Sequence, residues 1–187
     1  MKKQLLLFVL TTGLCINTYA QEKLKLNISK SELKWSGEYS FYFGGHDGTI
    51  SFKEGFFTKT NDIISGGEFI IDMTSIICND IKDEEANEGL VGHLKNEDFF
   101  NVEEFQTAKL VITNIEYHDN THMKIYANLT IKDITLPLNF QAEADYEKQQ
   151  MIAKFKIDRQ RWGIDYNSKL RDGAIADGIG FEVTLNI

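Results

Sequence analysis

The stretch Met123-Lys124-Ile125-Tyr126-Ala127-Asn128-Leu129-Thr130-Ile131 decides the fold class, because apolar and polar side chains alternate along it. In an extended strand, Met123, Ile125, Leu129 and Ile131 fall on one face and the polar residues between them on the other. The pattern therefore predicts a strand with one buried face and one face in water.

The same alternation recurs along most of the chain. The apolar sets are Leu33, Trp35, Tyr39, Phe41 and Phe43; Ile50, Phe52 and Phe56; Phe69, Ile71 and Met73; Leu110 and Ile112; Leu138, Phe140 and Ala142; Ala153, Phe155 and Ile157; and Ile179, Phe181, Val183 and Leu185. Short polar segments at 59–62, 118–121 and 147–150 separate several of them and predict antiparallel hairpins. We expect an all-β fold: an antiparallel, lipocalin-like β-barrel of about eight strands.

One segment breaks the alternation. After the acidic run Asp83-Glu84-Glu85, the residues Leu90, Val91 and Leu94 recur at helical spacing and precede the pair Phe99-Phe100. A short helix or lid segment is predicted near residues 84–100, packed over one opening of the barrel.

This segment and several others match a known family in the same order along the chain. His93 to Val102 matches the family segment "hLks-dFFdv" nearly residue for residue, and Ile157 to Ile164 matches its "idR-wgi" strand and turn. Further matches are His46-Asp47-Gly48, Gly66-Gly67 followed by Ile71 to Ile76, and Leu129 to Lys132. From about Ile28 to Ile187 the chain resembles the YceI-like family of polyisoprenoid-binding, lipocalin-like periplasmic proteins. It departs from the family pattern at two turns, where Gln106 replaces the usual proline and Asp133 the usual glycine.

The resemblance implies a long apolar tunnel inside the barrel. The chain has 13 Phe, 7 Tyr and 2 Trp. Aromatic residues in strands are usually core residues, but the resemblance makes many of these candidates for the wall of the tunnel. The expected ligand-binding residues are Trp35, Phe41, Phe43, His46, Phe52, Phe69, Ile71, Met73, Leu94, Phe99, Phe100, Leu110, Ile112, Leu129, Ile131, Phe155, Ile157, Trp162 and Phe181. The alternative is a barrel that its own side chains fill.

The amino terminus predicts export. Lys2 and Lys3, the apolar run Leu5 to Leu10 and the end Thr18-Tyr19-Ala20 form the pattern of a signal peptide spanning 1–20. Cleavage near Ala20 would leave a single domain, 21–187, in the periplasm or outside the cell. Cleavage would also change the formal net charge from −8 to −10. Such a charge disfavours nucleic acid as a partner, and the apolar run is too short for stable membrane insertion.

Polar residues offer few chemical sites. His46 is a candidate donor to a polar ligand head at the barrel mouth, the alternative being a structural histidine that bonds a neighbouring loop. His118 and His122 have a spacing that would suit a metal only on a helix, so we predict no metal site and no cofactor apart from a bound isoprenoid or long-chain lipid. Cys78 has no histidine beside it in the sequence and is expected to be a buried free thiol.

Arg159 follows Asp158 and precedes Trp162 in an apolar neighbourhood. We expect a structural ion-pair group of Asp98, Asp158 and Arg159, in which Arg159 ties the last strands to the lid segment through Asp98 or Glu97.

The chain has no nucleophile elbow, phosphate loop, zinc-protease helix or dinucleotide fingerprint, so an enzyme is the weaker expectation. The favoured function is sequestration or transport of a polyisoprenoid, an isoprenoid quinone or a fatty-acyl compound. The rival is a closed-barrel structural or interaction module with no small-molecule ligand. The oligomeric state stays open, with a homodimer among the options.

Overall fold

The computed structural model describes residues 21–40, 43–166 and 175–187. The predicted signal peptide lies outside the described residues, as does Phe41.

Nine strands and one α-helix make up the described chain. They are β1 (Glu22–Lys25), β2 (Glu32–Tyr39), β3 (Gly45–Thr60), β4 (Ile63–Cys78), α1 (Glu84–Lys95), β5 (Thr107–Tyr117), β6 (His122–Ile131), β7 (Ile134–Asp145), β8 (Gln150–Asp158) and β9 (Ile175–Asn186). Two 3₁₀ turns, Ile28–Lys30 and Arg159–Trp162, precede β2 and follow β8. None of the helices in the described part of the chain has the length and apolarity needed to span a membrane.

The strands close into an antiparallel barrel. The order β3-β2-β9-β8-β7-β6-β5-β4 returns to β3 through pairing of β3 with β4, which gives eight strands in the ring. The short β1 pairs outside the ring with the end of β3, between Phe56 and Lys59. The predicted antiparallel barrel of about eight strands is therefore confirmed.

Tight turns fix the hairpin registers. Asn61 and Asp62 have φ angles of 53° and 63°, and Lys132 and Asp133 have φ angles of 49° and 62°. Two successive residues at positive φ are characteristic of the two-residue turns that suit the strand twist, and they favour Gly, Asn or Asp. This backbone requirement explains both the family glycine at position 133 and the aspartate that replaces it here.

The alternation of β6 holds along its whole length: Met123, Ile125, Leu129 and Ile131 are all buried. In β3, by contrast, the alternation of buried and exposed residues is interrupted. A register shift between Phe52 and Glu54 reverses which side chains face the barrel interior. As a result Phe57 is fully buried, whereas Phe56, which was expected on the inner face, lies outside beneath the ammonium of Lys23.

Helix α1 begins where the sequence predicts it. The side chain of Asp83 accepts a hydrogen bond from the backbone N–H of Ala86 at 2.9 Å, and the first turn carries Glu84 and Glu85, which suit the positive end of the helix dipole. The side-chain amide of Asn87 donates to the carbonyls of Cys78 and Ile81. The start of the helix is thereby tied to the end of β4, which positions its apolar face.

Candidate functional site

The barrel encloses an apolar cavity, which we call the barrel cavity. The space between its walls is about 850 Å³, including the part open to solvent. Every described residue of the lining is apolar, and every strand of the eight-stranded ring contributes to the lining. The lining residues are Leu33, Ile50, Phe52, Phe57, Phe69, Ile71, Met73, Phe100, Ala108, Leu110, Ile112, Ile125, Leu129, Ile131, Phe140, Met151, Ala153, Phe155, Phe181, Val183 and Leu185.

A second space, the mouth cavity, lies between one end of the barrel and α1, and measures about 600 Å³ including its solvent-open part. Leu90 and Leu94 of α1 form one wall, and Trp35, Tyr39 and Ile179 form part of the opposite wall. The predicted helix therefore covers one barrel opening.

Three side chains separate the two cavities. Ile50, Phe100 and Phe181 line both of them. Phe100 belongs to the segment after α1, so the lid itself supplies part of the partition.

Most of the residues expected to bind ligand do line a cavity. Phe52, Phe69, Ile71, Met73, Phe100, Leu110, Ile112, Leu129, Ile131, Phe155 and Phe181 line the barrel cavity, and Trp35, His46, Leu94 and Phe99 line the mouth cavity. Whether they touch a ligand stays a prediction. Ten described residues that line the barrel cavity were not among the expected ones: Leu33, Ile50, Phe57, Ala108, Ile125, Phe140, Met151, Ala153, Val183 and Leu185. For Phe57, the glycine two residues earlier in β3 is the sequence signal of an irregular strand.

Three expected lining residues lie elsewhere. Phe43 is fully exposed just before β3, because β2 ends at Tyr39 and the strand alternation does not continue through the turn. Ile157 and Trp162 are buried but line neither cavity. The indole N–H of Trp162 donates to the carbonyl of Leu129 at 3.1 Å, which fixes the 3₁₀ turn against the end of β6.

The expected ion pair has a different partner. The buried guanidinium of Arg159 lies 3.2 Å from the carboxylate of Asp177 and donates to the carbonyl of Ile164. The prediction that it pairs with Asp98 or Glu97 is wrong; it reaches the lid segment through the ring of Phe99 instead, 5.9 Å from the ring centre. Asp158 does not pair with it either, since its side chain caps the 3₁₀ turn by accepting from the N–H of Gln160.

A polar network closes the rim of the mouth cavity. The hydroxyl of Tyr39 lies 2.6 Å from His46 Nε2, and His46 Nδ1 lies 2.9 Å from a carboxylate oxygen of Asp80. The other oxygen of Asp80 accepts from the thiol of Cys78 and from the backbone N–H of Asp47, both at 3.1 Å. His46 is therefore held by neighbouring elements as well as lining the cavity.

The network controls two pKa values. Burial acts to raise the pKa of Asp80, but hydrogen bonds from Cys78, His46 and the Asp47 backbone outweigh it and lower that pKa to about 2. Burial, followed by the hydrogen bond to Asp80, raises the pKa of the Cys78 thiol. At neutral pH, Asp80 is a carboxylate and Cys78 a buried, free thiol, as the sequence predicted.

The barrel wall is weakest between β7 and β8. Their pairing covers only Ala142–Asp145 against Gln150–Ala153, whereas β7 pairs with β6 along ten positions, from Ile134 to Glu143. Beyond the paired part, the rings of Phe140 and Phe155 stack with centres 4.6 Å apart. Both rings line the barrel cavity and are partly exposed, so side chains rather than a backbone ladder close this seam.

Known proteins resemble this chain in sequence and in fold. UPF0312 proteins of Staphylococcus aureus are 33% identical (strain MRSA252) and 31% identical (strain USA300) over 101 residues, which is 49% of this chain and 56% of each relative. The chain thus spans about half the length of the curated relatives it matches. The crystal structure of Burkholderia cenocepacia BcnA superimposes with a TM-score of 0.69 at 14% identity, covering 86% of this chain and 98% of that one.

The family assignment depends on a longer match than these pairwise ones. The family model described as the YceI-like domain matches residues 20–187, which include every element of the barrel and the lid helix. The barrel with an apolar interior, the lid helix and this match together show that the chain belongs to the YceI-like family.

Proposed function

We propose that this protein binds a long apolar molecule in the barrel cavity and keeps it out of water, acting in the periplasm or outside the cell after cleavage near Ala20. The ligand class is a polyisoprenoid, an isoprenoid quinone or a fatty-acyl compound. The observation that carries the proposal is the uninterrupted apolar lining of the barrel cavity. A lining of aliphatic and aromatic side chains is typical of small-molecule sites.

Free energies favour a long ligand over a short one. Burial of a methylene group stabilises a complex by about 0.8 kcal/mol, so ten carbons contribute roughly 8 kcal/mol. Association costs about 4–15 kcal/mol in lost freedom, which can cancel that gain. A chain that extends from the barrel cavity past Phe100 into the mouth cavity would bury more carbons and bind with useful affinity.

Charge favours a neutral ligand. The net charge of −8 opposes a ligand whose extended part is anionic. Among the residues that the structure describes, the lining of the barrel cavity offers no hydrogen-bond donor or acceptor side chain. Any polar head of the ligand would lie at the mouth cavity, whose wall includes His46 and Tyr39.

The test is mass spectrometry of an organic-solvent extract from protein purified from its native host without detergent. A stoichiometric isoprenoid or long-chain species would support the proposal and identify the ligand. An empty extract, and no binding after polyprenols and quinones are offered, would favour a closed-barrel interaction module.

A matched pair of variants links the ligand to the cavity. Ala153→Phe places a ring in the barrel cavity, and Phe43→Ala changes an exposed aromatic residue outside it. Displacement of two ligand methylenes costs about 1.6 kcal/mol, so Ala153→Phe should weaken binding at least about tenfold. Phe43→Ala should leave affinity unchanged. Equal affinity in both variants would place the ligand outside the barrel.

A further inference from the structure

Three side chains of different chemistry converge at the rim of the mouth cavity. One donor atom each from His46, Cys78 and Asp80 lies within 4.8 Å of the others. His46 is near the start of β3, Cys78 ends β4, and Asp80 follows two residues later. Although His46 and Asp80 are 34 positions apart, the β3–β4 register brings them together by pairing Gly48 with Cys78.

The backbone holds this arrangement in place. The N–H of Asn79 donates to the carbonyl of Asp47 at 2.9 Å, which continues the β3–β4 contact past the end of the ladder. A Cβ at position 48 would collide with the carbonyl of Ile77 and the indole of Trp35. Glycine at this position therefore permits the close approach of the two strands that carry His46 and Cys78.

The donor set is the one that zinc prefers. Imidazole nitrogen, thiolate sulfur and carboxylate oxygen bind Zn²⁺ at about 2.0–2.3 Å, and sites with three protein ligands complete their tetrahedron with water. Donor atoms in such a site lie roughly 3.5 Å apart. The three donors would need to shift by about 1 Å, and the partly exposed side chains of His46 and Asp80 have room to do so.

The surroundings also match a metal site. A ligating histidine usually has its second nitrogen held by a neighbouring group, which fixes the ring orientation. With a metal on Nδ1, the Nε2–H of His46 would donate to the hydroxyl oxygen of Tyr39, which already lies 2.6 Å away. The N–H of Asp47 holds the Asp80 carboxylate in the same manner.

We propose that His46, Cys78 and Asp80 form a binding site for a divalent transition metal of the zinc type, with water as the fourth ligand. On metal binding, Cys78 would release its thiol proton to solvent, and His46 would stay neutral by carrying its ring proton on Nε2 instead of Nδ1. The expectation of no metal site came from spacings along the chain, whereas these three residues meet only in the folded barrel. The metal site can be tested separately from the ligand, because Cys78 and Asp80 are not among the residues that line the barrel cavity.

The experiment uses the full chain with Cys15→Ser, so that Cys78 is the only thiol. After treatment with a chelator, Zn²⁺ is titrated by calorimetry and Co²⁺ by absorption spectroscopy. We expect one Zn²⁺ per chain with a Kd of about 1 μM or tighter, and a Co²⁺ spectrum with the charge-transfer band of a thiolate ligand. Absence of that band at saturation would overturn the proposal without reference to any variant.

Variants assign the ligands. Cys78→Ser and Asp80→Asn should each weaken Zn²⁺ binding at least about 100-fold, and Tyr39→Phe about 10-fold or more through loss of the second contact of His46. His122→Gln is the matched control, since His122 also lies 3.0 Å from a carboxylate, that of Asp119, but at an exposed hairpin tip. Loss of Zn²⁺ binding in His122→Gln, or its retention in folded Cys78→Ser, would contradict the assignment.

Discussion

Arg159 is the buried charge that fixes the chain between β8 and β9. Besides Asp177 and Ile164, its guanidinium donates to the carbonyl of Ala176 at 3.4 Å. Burial of a charged group is unfavourable unless the group is paired and hydrogen-bonded, so the fold depends on these acceptors. The arginine joins the 3₁₀ turn to the start of β9 and supports the ring of Phe99 in the lid segment.

We predict that Arg159→Ala lowers the free energy of unfolding by about 3 kcal/mol or more, because at least two carbonyls lose their donor at about 1–3 kcal/mol each. Arg161→Ala is the control on the same turn, since Arg161 is exposed and stacks on Trp162 at 5.5 Å. It should cost about 1 kcal/mol or less. Urea unfolding of both variants measures the difference.

The Asp98→Asn variant distinguishes Asp98 from Asp177 as the ion-pair partner of Arg159. Because the guanidinium pairs with Asp177, the Asp98 variant should unfold at the same urea concentration as the unaltered chain. A destabilisation equal to that of Arg159→Ala would restore the pairing expected from the sequence. The sequence could identify the arginine as structural, but not its partner, since Asp177 belongs to no motif and lies near only through the position of β9.

At the scale of elements, β7 and β8 make the one seam of the ring where we expect local opening. In an antiparallel strand, alternate N–H groups point to opposite neighbours. Along 136–141 of β7, one set points to β6, with which it is paired, and the other to β8, with which it is not.

Hydrogen exchange should therefore alternate along β7. We predict slow exchange for every amide of Ala142–Asp145, and for 136–141 slow exchange only of the amides that bond to β6. Pro137 has no amide and interrupts the series once. Amide hydrogen exchange measured by NMR, residue by residue, shows whether protection alternates along β7. Uniform protection along the strand would indicate a continuous ladder and a wall that opens only at the mouth.

The sequence predicts an element well when the element keeps one regular spacing of buried side chains. The strand β6 is regular, so strict alternation assigns each of its side chains to the correct face. In β3 the bulge after Phe52 shifts the period, and only Gly55 signals it. The helix α1 was predicted from the acidic run at its start and from the helical spacing of Leu90, Val91 and Leu94. The cluster of His46, Cys78 and Asp80 was not, because its members meet through pairing of distant strands rather than through any local pattern.

At the scale of the whole molecule, the two cavities and their partition define the length of ligand that can be buried. Under the proposed function, the barrel cavity alone would hold a short chain. A longer chain would have to displace Phe100 or Phe181 to reach the mouth cavity, where the lid helix would cover it. Affinity should therefore depend on ligand length in a way that reports the internal dimensions of the barrel.

We predict that affinity for neutral straight-chain alcohols rises by roughly fourfold for each added carbon, since each methylene contributes about 0.8 kcal/mol. The increase should stop when the cavities are full. Neutral alcohols are chosen because the chain carries a net charge of −8, which would weaken binding of the corresponding acids. Competition with a fluorescent apolar probe measures the series.

The same series of alcohols, measured with the Ala153→Phe variant, tests where the alkyl chain of the ligand lies. A ring at position 153 shortens the space available, so the increase should end at a shorter alcohol, whereas in Phe43→Ala it should end where it does in the unaltered protein. An increase with length that ends at the same alcohol in all three proteins would place the alkyl chain on the surface. A distinct shorter limit in Ala153→Phe follows only if the ligand lies inside the ring of strands, because the residue at 153 faces the barrel cavity.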